Sequence, residues 1–144
     1  MSYKHTQIGY VTGTALGMGA LITYAAFRAE HGEVGWGGLL TAGGFLAGAT
    51  LFSSLTVVVD ENELRFYFGP GFWKRRLALD DIERVEAVRN SPFYGWGIRY
   101  THHGWLYNVS GLRAVELTVE GEGQLRIGTD EPEALKRALE KALA

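Results

Sequence analysis

The sequence predicts an α+β membrane protein, in which a two-helix transmembrane hairpin precedes a β-barrel of about seven strands capped by a C-terminal amphipathic helix. The first observation is charge, because only four of the thirty charged side chains lie in residues 1–58. The second is a pair of long uncharged runs in that segment. The third is a change near residue 56 to the two-residue alternation of strands. We therefore divide the chain into a hairpin at 1–57 and a domain at 58–144.

The two uncharged runs predict two membrane spans. Residues 8–27 and 36–59 contain no Asp, Glu, Lys or Arg, and a helix of about 20 residues crosses the roughly 30 Å apolar core of a bilayer. We place the spans at 8–27 and 36–55, joined by the polar loop 28–35. Buried helices of a soluble protein are one alternative, but such helices normally carry a polar stripe. A cleaved signal peptide is the other, and the second span argues against it.

Glycine recurs at every fourth residue in both runs. The first run contains Gly9, Gly13 and Gly17, and the second contains Gly44 and Gly48. Small residues at this spacing allow two helix backbones to approach closely in lipid. We therefore predict that these glycines pack the first span against the second. Contact between two copies of the chain, in a homo-oligomer, is the alternative.

The distribution of Lys and Arg predicts the orientation in the membrane. Lys4 precedes the first span and the basic segment 74–76 follows the second. The connecting loop has one Lys or Arg residue, Arg28. By the positive-inside rule, both termini lie in the cytoplasm and the loop lies outside. The expected location is therefore the inner (cytoplasmic) membrane, with two passes.

Short strands separated by turns are predicted after residue 56. In the clearest strand, Leu64, Phe66 and Phe68 share one face. Arg65 and Tyr67 share the other, which is the pattern of a strand with one buried side. Glycine- and proline-containing segments mark the turns between strands. The predicted strands are 56–60, 64–69, 72–79, 82–89, 94–100, 104–110, 113–120 and 124–128.

The C-terminal segment predicts an amphipathic helix of about three turns. Thr129 or Asp130 is expected to cap it, Glu133 can complete a capping box with Asp130, and Pro132 suits its first turn. An apolar stripe along this helix would close one open end of the barrel. The stripe consists of Leu135, Ala138, Leu139, Ala142 and Leu143.

About seven strands followed by one amphipathic helix is the layout of a pleckstrin-homology (PH)-like barrel. Three segments, WGIRYTHHGWLYNVSG (96–111), AVEL (114–117) and RIGTDEPEAL (126–135), resemble small bacterial integral-membrane proteins with a PH-like domain. This resemblance covers essentially the whole chain. It implies one or two spans followed by a PH-like domain, and it implies no catalytic residues.

The aromatic stretch 94–111 is more consistent with a barrel core than with a reactive site. Its strand alternation places Trp96, Ile98 and Tyr100 on one face. His102 and His103 fall in a hairpin loop without further ligands at a metal-binding spacing. Aromatic rings beside arginine can stack on bases, but the net charge of −2 indicates no nucleic-acid partner. The glycine spacing fits no phosphate-binding loop.

Nothing in the sequence predicts an enzyme, a cofactor or a metal site. The chain has no cysteine, which excludes thiol chemistry and disulfides. Its paired carboxylates, Asp80-Asp81 and Asp130-Glu131, are explained by a strand end and a helix start. No Ser-His-Asp arrangement can be argued from the order of residues.

One basic and aromatic segment is the strongest candidate site. Two rings and three cations follow a Gly-Pro-Gly turn, close to the end of the second span. Rings settle at membrane interfaces, and each basic residue near an anionic leaflet contributes about 1 kcal/mol. We predict that this segment contacts anionic lipid or a protein partner; an ordinary solvated strand is the alternative. The segment is Phe72, Trp73, Lys74, Arg75 and Arg76.

The predicted function is a non-catalytic, membrane-anchored module that tethers or scaffolds a protein partner at the cytoplasmic membrane. Confinement to a surface raises the effective concentration for a second, weak contact. The alternative is an accessory subunit of a larger membrane complex that docks through the glycine-rich hairpin.

Overall fold

The computed structural model describes residues 3–33 and 35–144 as a helical hairpin, two β-sheets and a C-terminal helix. Single 3-10 turns lie at Leu79–Asp81 and Pro92–Tyr94. The helices are α1 (Tyr10–His31), α2 (Gly35–Leu51) and α3 (Pro132–Leu143). The strands are β1 (Tyr3–Ile8), β2 (Ser54–Val59), β3 (Glu63–Phe68), β4 (Trp73–Ala78), β5 (Ile82–Arg89), β6 (Gly97–Thr101), β7 (Gly104–Asn108), β8 (Arg113–Val119) and β9 (Gly123–Gly128).

The first sheet is antiparallel, in the order β1-β2-β3-β4, and it contains a strand that the sequence did not predict. This strand, β1, precedes the first helix and pairs with β2 from Tyr3↔Val59 to Ile8↔Ser54. The hairpin of α1 and α2 is therefore inserted between two neighbouring strands of one sheet.

The second sheet has the order β5-β8-β9-β7-β6, with β7 parallel to β9 and the other pairs antiparallel. The predicted strands 94–100 and 104–110 pair as the hairpin β6–β7, and the predicted strands 113–120 and 124–128 pair as the hairpin β8–β9. The predicted closed barrel is wrong, because the described residues form one sheet of four strands and one of five. The 3-10 turn Leu79–Asp81 carries the chain from β4 into the second sheet, where β5 pairs with β8 instead of β4.

The core lies between the two sheets and is closed by α3. Alternate side chains of each strand enter it, as the period of two requires. From the helix, Leu135 and Leu139 are fully buried, which confirms the predicted apolar face at these two positions. The buried strand residues include Leu55, Val57, Leu64, Phe66, Phe68, Tyr107, Val115, Leu117, Leu125 and Ile127.

The start of α3 is tied to β1 instead of forming the predicted capping box. The N-cap position is Glu131, whose backbone N–H donates to Thr129 Oγ1 at 3.1 Å. The Asp130 carboxylate contacts His5, with 2.5 Å between Oδ1 and Nε2. Tyr3 donates its hydroxyl to Glu131 Oε2 at 3.0 Å, and burial together with this carboxylate raises the pKa of Tyr3. The last helix therefore holds the first strand in place.

The helices α1 and α2 pack against each other in an antiparallel hairpin, as shown by the contacts of Leu16 with Gly48 and of Gly19 with Phe45. Within the two described ranges, α1 is the one helix that is long and apolar enough to cross a membrane by length and composition. The second helix has 17 residues and ends at Leu51, before the predicted end at 55. The β-branched residues that follow favour a strand, and β2 begins at Ser54.

Candidate functional site

Strand alternation divides the predicted site at 72–76 between two faces of β4. Lys74 and Arg76 are exposed on the outer face of the first sheet, which is the face turned away from the second sheet. Trp73 points the other way, and its ring centroid lies within 6 Å of those of Phe66, Phe68 and Tyr107. The Trp73 ring therefore belongs to the edge of the core, and it is not available to a membrane.

Arg75 also points toward the inner side of β4. Its Nη1 donates to the Tyr107 hydroxyl at 2.7 Å, and its Nη2 forms an ion pair with Glu122. Its charge is therefore engaged within the domain. Phe72, in contrast, lies in the turn between β3 and β4 and is 84% exposed. Of the five predicted residues, the structure leaves Phe72, Lys74 and Arg76 free to meet a ligand.

The outer face of the first sheet carries a basic groove of about 410 Å³, which we define by Lys4, Arg65, Lys74, Arg76 and Tyr67. Three of its cations lie in one row across the sheet. The register pairs Lys4 with Val58, Val58 with Arg65, and Arg65 with Arg76. Sequence reasoning did not bring Lys4 and Arg65 to this site, because Lys4 reaches it through the unpredicted β1 and Arg65 reaches it through the register of β3 with β4.

Most of the positive charge in the basic groove has no partner. Arg65 forms an ion pair with Asp60, with 2.6 Å between Nη2 and Oδ2. In residues 3–33 and 35–144, no carboxylate oxygen lies within 4.0 Å of the charged nitrogens of Lys4, Lys74 or Arg76. Glu63 Oε1 also lies 3.3 Å from Arg65 Nε, so the groove presents three unpaired cations and one that is held by two neighbouring carboxylates.

The basic groove ends beside the helical hairpin. Pro70 and Gly71 of the β3–β4 turn line it. The preceding Gly69 lies so close to the last turn of α2 that a Cβ there would be 2.6 Å from the Thr50 carbonyl oxygen and 2.7 Å from that of Leu51. This close approach holds the turn, and with it the Pro70–Gly71 end of the groove, at the C-terminal end of α2.

The predicted packing glycines have three different surroundings. Gly48 faces Leu16 of the other helix, as predicted. Gly9 lies before α1, where a Cβ would overlap the Phe52 carbonyl oxygen, so it serves the junction with β2 and not the packing of the helices. The other three would place a Cβ in open space, with no atom within 4 Å, so their predicted contact between the two helices is wrong. They are Gly13, Gly17 and Gly44.

A buried hydroxyl joins the hairpin to both sheets. Thr12 Oγ1 lies 2.8 Å from the carbonyl oxygen of Phe52 and 3.1 Å from that of Val109. The first precedes β2 and the second follows β7, so one side chain ties the base of α1 to both sheets. Its placement depends on the insertion of the hairpin, and no local sequence signal marks it.

We expect Thr12→Val to lower the stability of the protein by about 1–3 kcal/mol, since the isosteric side chain removes the donor to these buried carbonyls. Thermal unfolding of the purified full chain in mild detergent measures the effect. Thr14→Val is the matched control, because Thr14 is exposed on the same helix. Equal midpoints for the two variants would contradict the role of Thr12.

The histidine pair lies on the hairpin between β6 and β7. Tyr94 Oη is 3.1 Å from His102 Nε2, and the two imidazole centroids are 4.1 Å apart. Burial lowers the pKa of His103, and the Arg126 guanidinium and the His102 ring lower it further. Among the described residues, no group of three His, Cys, Asp or Glu side chains could hold a metal ion. The pair is therefore a weaker candidate than the basic groove.

Comparison with known proteins does not assign the chain to a family. No protein-family model matches it, and no curated protein matches it. The resemblance to bacterial membrane proteins with a PH-like domain therefore stays a prediction, and function is inferred from the geometry of the chain itself.

Proposed function

We propose that the protein is a non-catalytic, membrane-anchored PH-like module that tethers a protein partner at the cytoplasmic membrane. The observation that carries the proposal is the insertion of the hairpin between β1 and β2. Ile8 and Ser54 are paired neighbours at the two ends of this insertion. If α1 crosses a bilayer, α2 must bring the chain back to the same side, because β1 and β2 belong to one sheet. The proposal therefore includes two passes.

The surface of the hairpin supports its place in a bilayer. Large apolar side chains on both helices are exposed; for example, Leu21 is 65% exposed and Leu40 is 73% exposed. A continuous apolar surface of this kind is rare on soluble monomers and marks a membrane or protein interface. The second helix has 17 residues, which is about the shortest length that spans an apolar core, and it carries no charge.

The basic groove supports the proposed orientation. Lys4, Lys74 and Arg76 lie on the sheet side of the hairpin, whereas Arg28 is the one Lys or Arg near the loop that joins the two helices. The positive-inside rule then places the two sheets and both termini in the cytoplasm. The two sheets closed by α3 are consistent with a PH-like domain, a fold that hosts many binding roles and whose identity does not name a partner.

Single-cysteine labelling tests this topology cleanly, because the chain has no native cysteine. Glu33→Cys lies in the loop between the helices, and Glu61→Cys lies in the exposed turn between β2 and β3. A membrane-impermeant maleimide applied to intact cells is expected to label Glu33→Cys alone. Glu61→Cys should react only after permeabilisation. Protection of both sites until lysis would refute the crossing of the membrane.

The second candidate function is an accessory subunit of a larger membrane complex. The open space at Gly13, Gly17 and Gly44 favours it, because these positions leave room for another helix to approach. Purification in mild detergent with mass spectrometry of the retained proteins separates the two. Stoichiometric companions that are lost on Gly17→Leu would support the subunit. A chain that purifies alone would support the tethering module.

A further inference from the structure

We propose that the basic groove binds the phosphate of an anionic lipid headgroup, so that the first sheet rests on the cytoplasmic leaflet through one specific contact. This inference rests on the proposed membrane anchor. It deepens that proposal by naming the ligand and the residues that hold it, which are Lys4, Arg65, Lys74 and Arg76.

The charges of the basic groove need an anion. Arg65 and Arg76 lie directly opposite each other on β3 and β4, and like charges in that position destabilise a sheet. Lys4 lies in the same row, at the other side of Val58. A pair of like charges that face each other across two strands is unfavourable locally, and such unfavourable arrangements are expected at functional sites. Arg65 is already paired with Asp60 and Glu63, and a phosphate in this row would give the unpaired Lys4 and Arg76 their own counter-charge.

The donors fit a phosphate in number and arrangement. Neighbouring strands are about 4.8 Å apart, so the long side chains of Lys4 and Arg65 can converge over the small Val58 between them. Arg76 reaches toward them from the far side of Arg65. Guanidinium groups bind phosphate oxygens bidentately, while ammonium groups act as point charges. The Asp60 ion pair holds Arg65 in one orientation before any ligand arrives. The groove volume of about 410 Å³ lies in the range of small-molecule sites and has room for a phosphate with its attached alcohol.

The position of the groove favours a lipid over a soluble phosphate. Pro70 and Gly71 line one end of the groove, and the preceding Gly69 lies against the last carbonyl groups of α2. The headgroup layer of a bilayer extends about 5–7 Å beyond the apolar core, where α2 is proposed to end. Lys74 is the groove cation nearest to that layer and follows Phe72 by two residues, and the exposed Phe72 ring can lie in the layer. The row of Lys4, Arg65 and Arg76 lies two residues, or about 7 Å, farther along the strands, so the headgroup phosphate must extend into the groove.

The test measures lipid binding to the purified full chain in mild detergent. Short-chain phosphatidylglycerol and phosphatidylcholine are titrated separately, and bound lipid is counted by native mass spectrometry. In the groove variant, Lys4→Gln, Lys74→Gln and Arg76→Gln are combined. In the control variant, the α3 cations are neutralised instead, by Lys136→Gln, Arg137→Gln and Lys141→Gln. Both variants lose the same charge.

The unmodified chain is expected to prefer phosphatidylglycerol. The groove variant should bind it about 100-fold more weakly, and Lys74→Gln alone about 5-fold more weakly, given the usual contribution of each basic residue. The control variant should change the affinity less than about 3-fold. Equal weakening by the groove and control variants would overturn the site, since it would show a response to net charge alone.

Inorganic phosphate and glycerol phosphate are titrated in parallel to identify the source of the phosphate group. If either compound binds as tightly as the lipid and this binding is lost in the groove variant, the ligand is a soluble phosphate and the assignment to a lipid is overturned. The Glu33→Cys labelling does not depend on the groove, so it shows separately whether the proposed membrane anchor is wrong. Correct labelling with unchanged lipid binding in the groove variant would refute this inference alone.

Discussion

Arg126→Met is expected to destabilise the protein by about 3–5 kcal/mol, because it leaves a buried carboxylate without its partner. Arg126 Nε donates to Glu116 Oε2 at 2.8 Å, and Nη1 donates to Asn90 Oδ1 at 3.1 Å. The two charged residues are only 8% and 9% exposed. Glu86 lies directly opposite Glu116 on β5, so the loss of the cation would also leave two carboxylates facing each other. The midpoint of thermal unfolding in mild detergent measures the loss.

The matched control is Arg84→Met on the same sheet. Arg84 Nη2 is 3.0 Å from Glu86 Oε1, but both side chains are well exposed, and exposed pairs contribute about 1 kcal/mol or less. The double variant Arg126→Met with Glu116→Leu should recover much of the stability, since it removes both buried charges. If the unfolding midpoint of Arg126→Met is close to that of Arg84→Met, the buried ion pair does not stabilise the protein more than the exposed pair does, and the prediction is wrong.

Gly104→Ala is expected to lower the stability of the protein by about 3 kcal/mol or more, since it combines backbone strain with a direct overlap. Gly104 has a φ of +92°, a left-handed conformation that costs a residue with a Cβ about 1–2 kcal/mol. The added Cβ would also overlap the Gln124 carbonyl oxygen on β9. The overlap must push β7 away from β9, and these strands form the parallel pair of the second sheet.

Gly121→Ala separates the two contributions. Gly121 has a φ of +78° in the turn between β8 and β9, but a Cβ there meets no atom within 4 Å. Its cost should therefore be strain alone, about 1–2 kcal/mol. Unfolding midpoints of the two variants are compared under the same conditions. If both shift equally, the close approach of Gly104 to β9 does not constrain the sheet.

The parts of the fold that the sequence predicted correctly are those with a strong local pattern. Leu135 and Leu139 share a helical face, and both are buried in α3. The strand β1 was missed because its two faces differ little in polarity: Lys4 and Thr6 face one way, while His5 and Gln7 face the other. It pairs with residues about fifty positions away, and a pairing over that separation leaves no pattern in the sequence around β1. The end of α2 was placed too late because the residues after Leu51 are uncharged and suit a helix or a strand.

The candidate site was predicted in part, and the reason is the difference between sequence neighbours and spatial neighbours. The basic segment is contiguous in sequence, but a strand sends Trp73 and Arg75 to one side and Lys74 and Arg76 to the other. The remaining groove residues join the site only through cross-strand register. Arg65 and Tyr67 join it through the register of β3 with β4. Lys4 joins it through the pairing of β1 with β2, which needs the hairpin to be recognised as an insertion.

The insertion of the hairpin also offers a way to obtain the two sheets without the apolar helices. The amide nitrogen of Gly9 is 2.7 Å from the carbonyl oxygen of Ser53, so the two ends of the insertion already meet as the ends of a tight turn do. A two-residue Asn-Gly turn could therefore replace residues 10–52 and join Gly9 to Ser53, so that this hydrogen-bonded pair closes the new turn. Simple truncation before β2 would instead remove β1 and expose an unpaired edge. The shortened chain would keep both sheets and the complete basic groove in water, where crystallisation and calorimetry are straightforward.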